Sequence, residues 1–179
     1  MQRDLNVDFL IKPKPLTEEA FAPFGDVIEA GAVSQDSLIM INGGNTERYD
    51  SLAKVQLSSP EDTAVINIFR AQPRQLPMKI EMMERHPFGS QSFHPLSGED
   101  YLVLVADPVE ELTPEHLHLF IAKSTQGINY HKNTWHHPVL ALGDEVNAVC
   151  DFLVVDRKGE GNNCEEFFFG KDLNITIDR

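Results

Sequence analysis

The chain has 179 residues, 41% of them hydrophobic and 24% charged, which is typical of one soluble globular domain spanning residues 1–179. Its net charge of −13 repels phosphate backbones and anionic lipids, so we expect neither nucleic-acid nor membrane binding. The N-terminus lacks a signal-peptide pattern, and Cys150 and Cys164 do not make a disulfide framework, so we expect a cytoplasmic protein.

In chain order, the first predicted element is a short helix within Thr17-Glu-Glu-Ala-Phe-Ala-Pro-Phe-Gly25, capped by Thr17. Thr113-Pro-Glu-His predicts a second helical turn. The remaining pattern is β, with strands predicted at Ala64–Arg70, Met78–Glu84, Ser90–Leu96, Tyr101–Ala106, Leu117–Ala122, Gly127–Tyr130, Val139–Leu142, Val146–Val155 and Glu166–Phe169. Many short strands with little helix predict an all-β sandwich or barrel.

The segment Glu84-Arg-His-Pro-Phe-Gly-Ser-Gln91 carries the first group of candidate functional side chains. Residues two apart in a strand face the same side, so Glu84 and His86 are expected to project together. A tight turn at Pro87-Phe88-Gly89 would bring Gln91 back beside them. The segment therefore predicts one wall of a small-molecule site.

The segment Tyr130-His-Lys-Asn-Thr-Trp-His-His-Pro138 carries the second group. His136 and His137 are adjacent, so strand alternation lets only one of them face the same interior. We predict that His136 faces inward and that His137 points away, while Tyr130 and Trp135 serve mainly as walls.

The spacing Glu84-X-His86-(X)4-Gln91, with a later Asn-Thr-Trp-His136, resembles the metal-binding motifs of the cupins, which are double-stranded β-helix barrels. Glu84, His86, Gln91 and His136 could ligate a divalent cation, although glutamine is a weak ligand. The alternative is that these groups hydrogen-bond one another at the mouth of a barrel. The sequence leaves both interpretations open.

Several segments in order resemble the bacterial ureidoglycolate lyases, a cupin family formerly called ureidoglycolate hydrolases. They are the two above together with Gln126-Gly-Ile-Asn-Tyr-His131, Asp151-Phe-Leu-Val-Val-Asp-Arg157 and Asn163-Cys-Glu165. The resemblance implies a cupin barrel, a cytoplasmic homodimer and cleavage of (S)-ureidoglycolate to glyoxylate and urea in allantoin catabolism. It also suggests nickel or another divalent cation, with no organic cofactor.

The residue types suit this reaction, which needs a base for the substrate hydroxyl and an acid for the departing nitrogen. His136 is the candidate acid or base, with Glu84, His86 and Asp151 as further catalytic candidates. Arg70 or Arg85 would bind the substrate carboxylate. The other candidate substrate-binding residues are Gln91, Tyr130, Trp135 and His137.

Two other functions remain open from the sequence. A non-catalytic cupin-like protein could bind a small acid as a sensor, although several titratable groups favour an enzyme. A hydrolase could release ammonia from the same substrate, which would require an activated water and hence a firmly held metal.

Overall fold

The computed structural model describes residues 7–31, 38–143 and 149–179, and strands dominate it. The strands are β1 (Val7–Ile11), β2 (Lys14–Pro15), β3 (Gly25–Ile28), β4 (Leu38–Ile41), β5 (Thr46–Tyr49), β6 (Thr63–Ala71), β7 (Met78–Lys79), β8 (Met82–Arg85), β9 (Gln91–Pro95), β10 (Tyr101–Ala106), β11 (Leu117–Ala122), β12 (Gly127–Tyr130), β13 (Leu140–Ala141), β14 (Cys150–Lys158), β15 (Glu165–Phe168) and β16 (Leu173–Ile177).

Helical structure is confined to short pieces in the described residues. Helix α1 covers Glu18–Phe21, and the Thr17 side chain caps it by accepting a hydrogen bond from the Ala20 N–H. Single 3-10 turns lie at Asn42–Gly44 and Pro114–His116. None of these helices has the length and apolar character that crossing a membrane would require.

Two sheets face each other and form the barrel. The first has the strand order β3-β12-β9-β14-β6, and the second has the order β13-β10-β11-β2. Backbone bridges from His136 to Val105 and to Glu84 join β10 to β8, so the β8–β15 pair continues the second sheet. The all-β prediction is confirmed, and the architecture is consistent with a cupin-like barrel.

The barrel core lies between the two sheets, and strand alternation decides which side chains enter it. In β10, Tyr101, Val103 and Val105 face inward. They meet Phe93, Phe152 and other residues of the first sheet, and the rings of Tyr101 and Phe152 pack edge to face at 5.3 Å between centroids. The polar cluster described below lies at one end of this interior.

A third sheet, of order β1-β16-β7, covers the outer face of the second sheet. The alternate residues of β10, Leu102 and Leu104, pack there against Ile175 and Ile177 of β16. Strand β10 is therefore buried on both faces, which explains its uninterrupted apolar sequence.

Most predicted elements are present, with shifted ends. The strands Tyr101–Ala106, Leu117–Ala122 and Gly127–Tyr130 have the predicted bounds. The predicted strand Met78–Glu84 is divided into β7 and β8, and the helix ends at Phe21 because Gly25 already begins β3. Of the predicted strand Val146–Val155, residues 146–148 lie outside the described residues, and β14 runs from Cys150 to Lys158.

Candidate active site

His136 is the residue that connects the two predicted segments. Its backbone N–H donates to the Glu84 carbonyl at 2.8 Å, and its carbonyl accepts from the Glu84 N–H at 2.7 Å. Directly opposed residues of an antiparallel pair project to the same face. This pairing therefore sets the carboxylate of Glu84 beside the imidazole of His136.

Glu84, His86 and His136 form a compact cluster. One potential ligand atom from each lies within 4.8 Å of the others. The His136 Nε2 and Glu84 Oε1 atoms are 3.6 Å apart, and the His86 and His136 ring centroids are 5.1 Å apart. His136 is 2% exposed, whereas the Glu84 side chain is 20% exposed. The cluster is thus buried on the His136 side and reaches solvent on the Glu84 side.

Backbone carbonyls fix the tautomer of both histidines. The His136 Nδ1 lies 2.9 Å from the Thr134 carbonyl oxygen, and the His86 Nδ1 lies 2.6 Å from that of Asn163. A carbonyl only accepts hydrogen bonds, so each Nδ1 carries the proton and each Nε2 presents a lone pair. Both Nε2 atoms are buried and find no hydrogen-bond partner among the described residues.

This donor set fits a divalent cation. Two imidazole Nε2 atoms and a carboxylate are ligands that borderline metals accept, and their Nδ1–H groups are held by backbone carbonyls, as is usual for metal-binding histidines. Gln91, the fourth predicted ligand, has its amide nitrogen 3.2 Å from Asp156 Oδ2, to which it donates. Only the amide oxygen of Gln91 would be available as a ligand.

The charges of the cluster act on one another. Burial raises the pKa of Glu84, but the attraction of the nearby His136, followed by that of His86 and His137, outweighs burial, so the pKa lies below its ordinary value. Burial, followed by the charge of His136, lowers the pKa of His86. Burial also lowers the pKa of His137. These shifts favour an ionised Glu84 and neutral His86 and His137 near neutral pH.

The predicted wall residues lie on opposite sides of the second sheet. Tyr130 stacks on His136, with 4.2 Å between ring centroids and an angle of 14°. Trp135 instead packs in the outer core, and its Nε1–H donates to the Val109 carbonyl at 2.8 Å. His137 is buried as well, with its Nδ1 2.8 Å from the Pro138 carbonyl oxygen. Tyr130 therefore belongs to the cluster, and Trp135 does not.

The structure does not bring Arg70 and Asp151 to the cluster. Arg70 donates two hydrogen bonds to the carboxylate of Asp151, each 2.8 Å long, across the β6–β14 pair. Asp151 alternates with the core residues Cys150 and Phe152, so this ion pair lies on the outer face of the first sheet. In the structure these two residues pair with each other and not with the cluster.

Arg85 also has carboxylate partners. Its Nε donates to Glu165 at 2.7 Å, and its two terminal nitrogens donate to Glu110 at 3.1 Å. The guanidinium carbon lies 4.4 Å from the centre of the Trp135 ring. Arg85 thus faces the side of β8 opposite to Glu84, as strand alternation requires.

Residues near the cluster that sequence reasoning did not assign are Asn163, Cys164 and Asp156. The Cys164 thiol donates to Glu84 Oε2 at 3.8 Å, and the Asn163 side-chain oxygen accepts from the Phe88 N–H at 2.8 Å. Asn163 and Cys164 belong to a segment noted in the sequence, but no chemical pattern identified their contacts. Asp156 directly follows the predicted strand Val146–Val155, and no pattern assigned it a role.

An apolar groove of about 350 Å³ lies away from the cluster, between β7 and β15. Its lining residues include Lys79, Phe168 and Lys171 but no histidine. It therefore lacks a group suited to proton transfer near neutral pH. The cluster, rather than this groove, is the candidate active site.

Comparison with known proteins gives the family. Residues 8–176 match the family model described as ureidoglycolate lyase. The protein named ureidoglycolate lyase from Azotobacter vinelandii is 47% identical over 170 residues, covering 95% of this chain and 98% of the relative. A protein of the same name from Pseudomonas aeruginosa is 48% identical over 168 residues, covering 94% and 95%. One from Rhizobium leguminosarum bv. trifolii is 52% identical over 156 residues, covering 87% and 89%. The chain therefore belongs to the ureidoglycolate lyase family.

Proposed function

We propose that this protein is a lyase that cleaves (S)-ureidoglycolate to glyoxylate and urea, within allantoin catabolism. The observation that carries the proposal is the pair of Nε2 atoms of His86 and His136 beside the Glu84 carboxylate, which are buried and without a hydrogen-bond partner in the described parts of the chain. Family membership supplies the substrate.

The reaction requires two proton transfers, one from the hydroxyl group and one to the ureido nitrogen, and the same carbon carries both groups. The carbon bears a hydroxyl, a carboxylate and the ureido nitrogen. Loss of the hydroxyl proton lets the oxygen form a carbonyl, while the C–N bond breaks and its electron pair moves to nitrogen. A proton delivered to that nitrogen releases urea. No covalent intermediate with the protein is needed.

We assign the principal acid–base role to His136 Nε2. This atom carries a lone pair in the tautomer fixed by Thr134, so it can accept the hydroxyl proton and return it to the leaving nitrogen. Glu84, 3.6 Å away, would stabilise the imidazolium that forms. His86 would position the substrate or a cation beside them.

The single Nε2 lone pair of His136 cannot bind a cation and accept a proton at the same time, so a cation at the cluster is the alternative to that acid–base role. A divalent cation, with nickel suggested by the family resemblance, would be held by Glu84, His86 and His136. When bound, it would neutralise the substrate carboxylate and lower the pKa of the hydroxyl. Arg70 and Arg85 were the expected carboxylate partners, but each already binds acidic side chains. The cluster itself is therefore our preferred site for the substrate carboxylate.

The decisive experiment supplies ureidoglycolate to the protein and assays urea and ammonia separately. A lyase yields glyoxylate and urea in equal amounts. The alternative hydrolase would yield ammonia, and a non-catalytic binding protein would yield neither product. His136→Ala should abolish the release of urea. His118→Gln, which changes a partly exposed histidine outside the cluster, should retain it. This pair of results would show that the activity depends on the cluster.

We also propose that the protein is a cytoplasmic homodimer. Both cysteines are free thiols, which suits a reducing compartment. Strand β6 is nine residues long and forms an edge of the first sheet, with Ile66 72% and Ile68 58% exposed. A long apolar edge of this kind readily pairs with another strand, and a two-fold axis would pair β6 with itself.

Light scattering at micromolar concentration tests the dimer. The unmodified chain should give twice the monomer mass, and Ile66→Lys with Ile68→Lys should give the monomer mass, because buried lysines oppose association. Met40→Lys is the matched control, since Met40 is 53% exposed on the separate β4–β5 hairpin. A monomer mass for the unmodified chain would contradict this proposal.

A further inference from the structure

A row of three polar side chains crosses the inner face of the first sheet. Tyr130 of β12 is paired with Gln91 of β9. The β9–β14 register ends with Ser92 opposite Val155, so the next position sets Gln91 opposite Asp156. The hydrogen bond of 3.2 Å from Gln91 Nε2 to Asp156 Oδ2 agrees with this register.

This row lies on the barrel side of the sheet. Gln91 lies two residues before the core residue Phe93, and Asp156 lies two residues after the core residue Val154, so both side chains share the inner face with the core. The first member of the row, Tyr130, stacks on His136. Neighbouring strands are about 4.8 Å apart, so Asp156 lies about 10 Å along the row from Tyr130, a span that suits a small acid.

The carboxylate of Asp156 accepts one hydrogen bond at each oxygen from the chain itself. Its Oδ1 accepts from the backbone N–H of Arg157 at 2.9 Å, and its Oδ2 accepts from Gln91. The guanidinium of Arg157 is engaged elsewhere, with Asp62 and the Glu160 carbonyl. An ionised carboxylate has about four acceptor positions, so Asp156 can still accept N–H groups from a ligand.

We propose that Asp156, held by Gln91, forms the subsite that recognises the N–H groups of a ureido substituent. This inference rests on the proposed function and adds the determinant of substrate class. The ureido end faces Asp156, which accepts hydrogen bonds and has none to offer a second carboxylate. The substrate carboxylate faces the Glu84–His86–His136 cluster, where a bound cation would offset the charge of Glu84. Gln91 and Asp156 thus set the orientation of the substrate between Asp156 and the Glu84–His86–His136 cluster.

Two unreactive ligands test the subsite by calorimetry. N-carbamoylglycine carries the ureido group and a carboxylate but lacks the hydroxyl that cleavage requires. N-acetylglycine replaces the terminal NH₂ with a methyl group. The protein should bind N-carbamoylglycine about 10- to 100-fold more tightly, because hydrogen bonds to a charged group are strong and an unmet acceptor is costly.

Asp156→Asn is the informative variant, because it keeps the size of the side chain and replaces an acceptor oxygen by a donor. It should abolish most of the preference for N-carbamoylglycine. Asp8→Asn is the matched control: Asp8 also accepts from a side-chain amide, that of Asn174 at 2.7 Å, but lies in the outer sheet. This control should keep the full preference. Should Asp156→Asn fail to fold, Gln91→Met, which removes the amide that holds Asp156, should also reduce the preference.

The outcomes separate this inference from the proposed function. A preference that is lost in Asp156→Asn, in a protein that releases no urea from ureidoglycolate, would uphold the subsite and reject the lyase. Urea release by a protein that binds the two ligands equally would reject the subsite and uphold the lyase. A preference that survives in Asp156→Asn would also overturn the inference.

Discussion

At the scale of single residues, the site depends on which nitrogen of each histidine carries the proton. Carbonyl oxygens of Thr134 and Asn163 hold the Nδ1–H groups of His136 and His86. The two Nε2 atoms are thereby prepared as lone-pair donors before any ligand arrives, and no side chain must reorganise. The sequence could suggest these histidines from their spacing. Their tautomers depend on carbonyls that only the folded backbone brings near.

The first prediction compares the adjacent histidines. His136→Ala should lower the rate of urea release by about 10²- to 10⁴-fold, the usual loss when a general acid–base group is removed. His137→Ala should keep most of the activity, because the His136 side chain, not that of His137, stacks on Tyr130 and faces Glu84. Steady-state assays of urea, with circular dichroism to verify folding, measure both. Equal loss in the two folded variants would contradict the assignment of His136.

The second prediction concerns metal binding. Glu84→Gln and His86→Ala should each weaken binding of nickel, because each removes one donor from a set of three. Calorimetric titration of metal-stripped protein measures the affinity without reference to turnover. His118→Gln provides the control, since this histidine pairs with Asp107 on the partly exposed surface. Unchanged nickel affinity in both cluster variants would place any metal elsewhere.

At the scale of elements, the segment that leads into β15 contacts the Glu84–Phe88 segment of the candidate active site. Three consecutive residues each contact the segment around Glu84: Glu165 binds Arg85, Cys164 binds Glu84, and Asn163 binds both His86 and Phe88. The β8–β15 pair is therefore more than an extension of the sheet. Its leading segment positions His86 relative to Glu84 and His136.

The third prediction tests this contact through Asn163. Asn163→Ala removes the acceptor for the Phe88 N–H, so the turn after His86 should loosen and nickel affinity should fall by about 10- to 100-fold, as for other residues that orient metal ligands. Asn163→Asp keeps an acceptor oxygen and should restore the affinity. Nitrogen-15 spectra should show His86 protonated at Nδ1 in the unmodified chain and a mixture of tautomers in Asn163→Ala. A purely structural role would leave that tautomer unchanged.

The elements also show where sequence patterns reach their limit. Strands β10, β11 and β12 could be delimited because turns and apolar runs bound them. The outer sheet was missed because β1 finds its partner β16 at the far end of the chain, a contact that no local pattern encodes. The sequence pattern favours Asp151 as the functional acid, whereas Asp156 is the acid on the inner face of β14. Both faces of β14 carry apolar residues, so alternation alone could not tell the two acids apart.

At the scale of the whole molecule, a strongly acidic protein is proposed to bind an acidic substrate. A net charge of −13 repels anions at long range, so capture must depend on short-range groups within the barrel. With a divalent cation bound, the cluster would attract the substrate carboxylate, because the two positive charges of the cation exceed the single negative charge of Glu84. Arg70 and Arg85, the two arginines considered for this role, already form salt bridges with acidic side chains.

The last prediction concerns stability against acid. Burial lowers the pKa of His94, His86 and His137 below the ordinary value near 6.5, so the folded state holds them neutral after the unfolded chain has begun to take up protons. Their contribution to stability is complete above pH 6.5 and is lost as the pH falls towards the folded pKa values. Each such histidine lowers the free energy of unfolding by about 1.4 kcal/mol per pH unit in that window.

Glu84 extends the loss to lower pH, because its pKa is also below the ordinary value and its contribution disappears as the pH falls through the folded pKa. Guanidinium unfolding of the metal-free protein at a series of pH values from 7.5 to 4 should therefore show a free energy that falls steadily with acid. His94→Gln should reduce the slope just below pH 6.5, because it removes one proton-binding difference between the two states. A free energy of unfolding that stays constant between pH 7.5 and 5 would show that the buried histidines are already protonated in the folded protein.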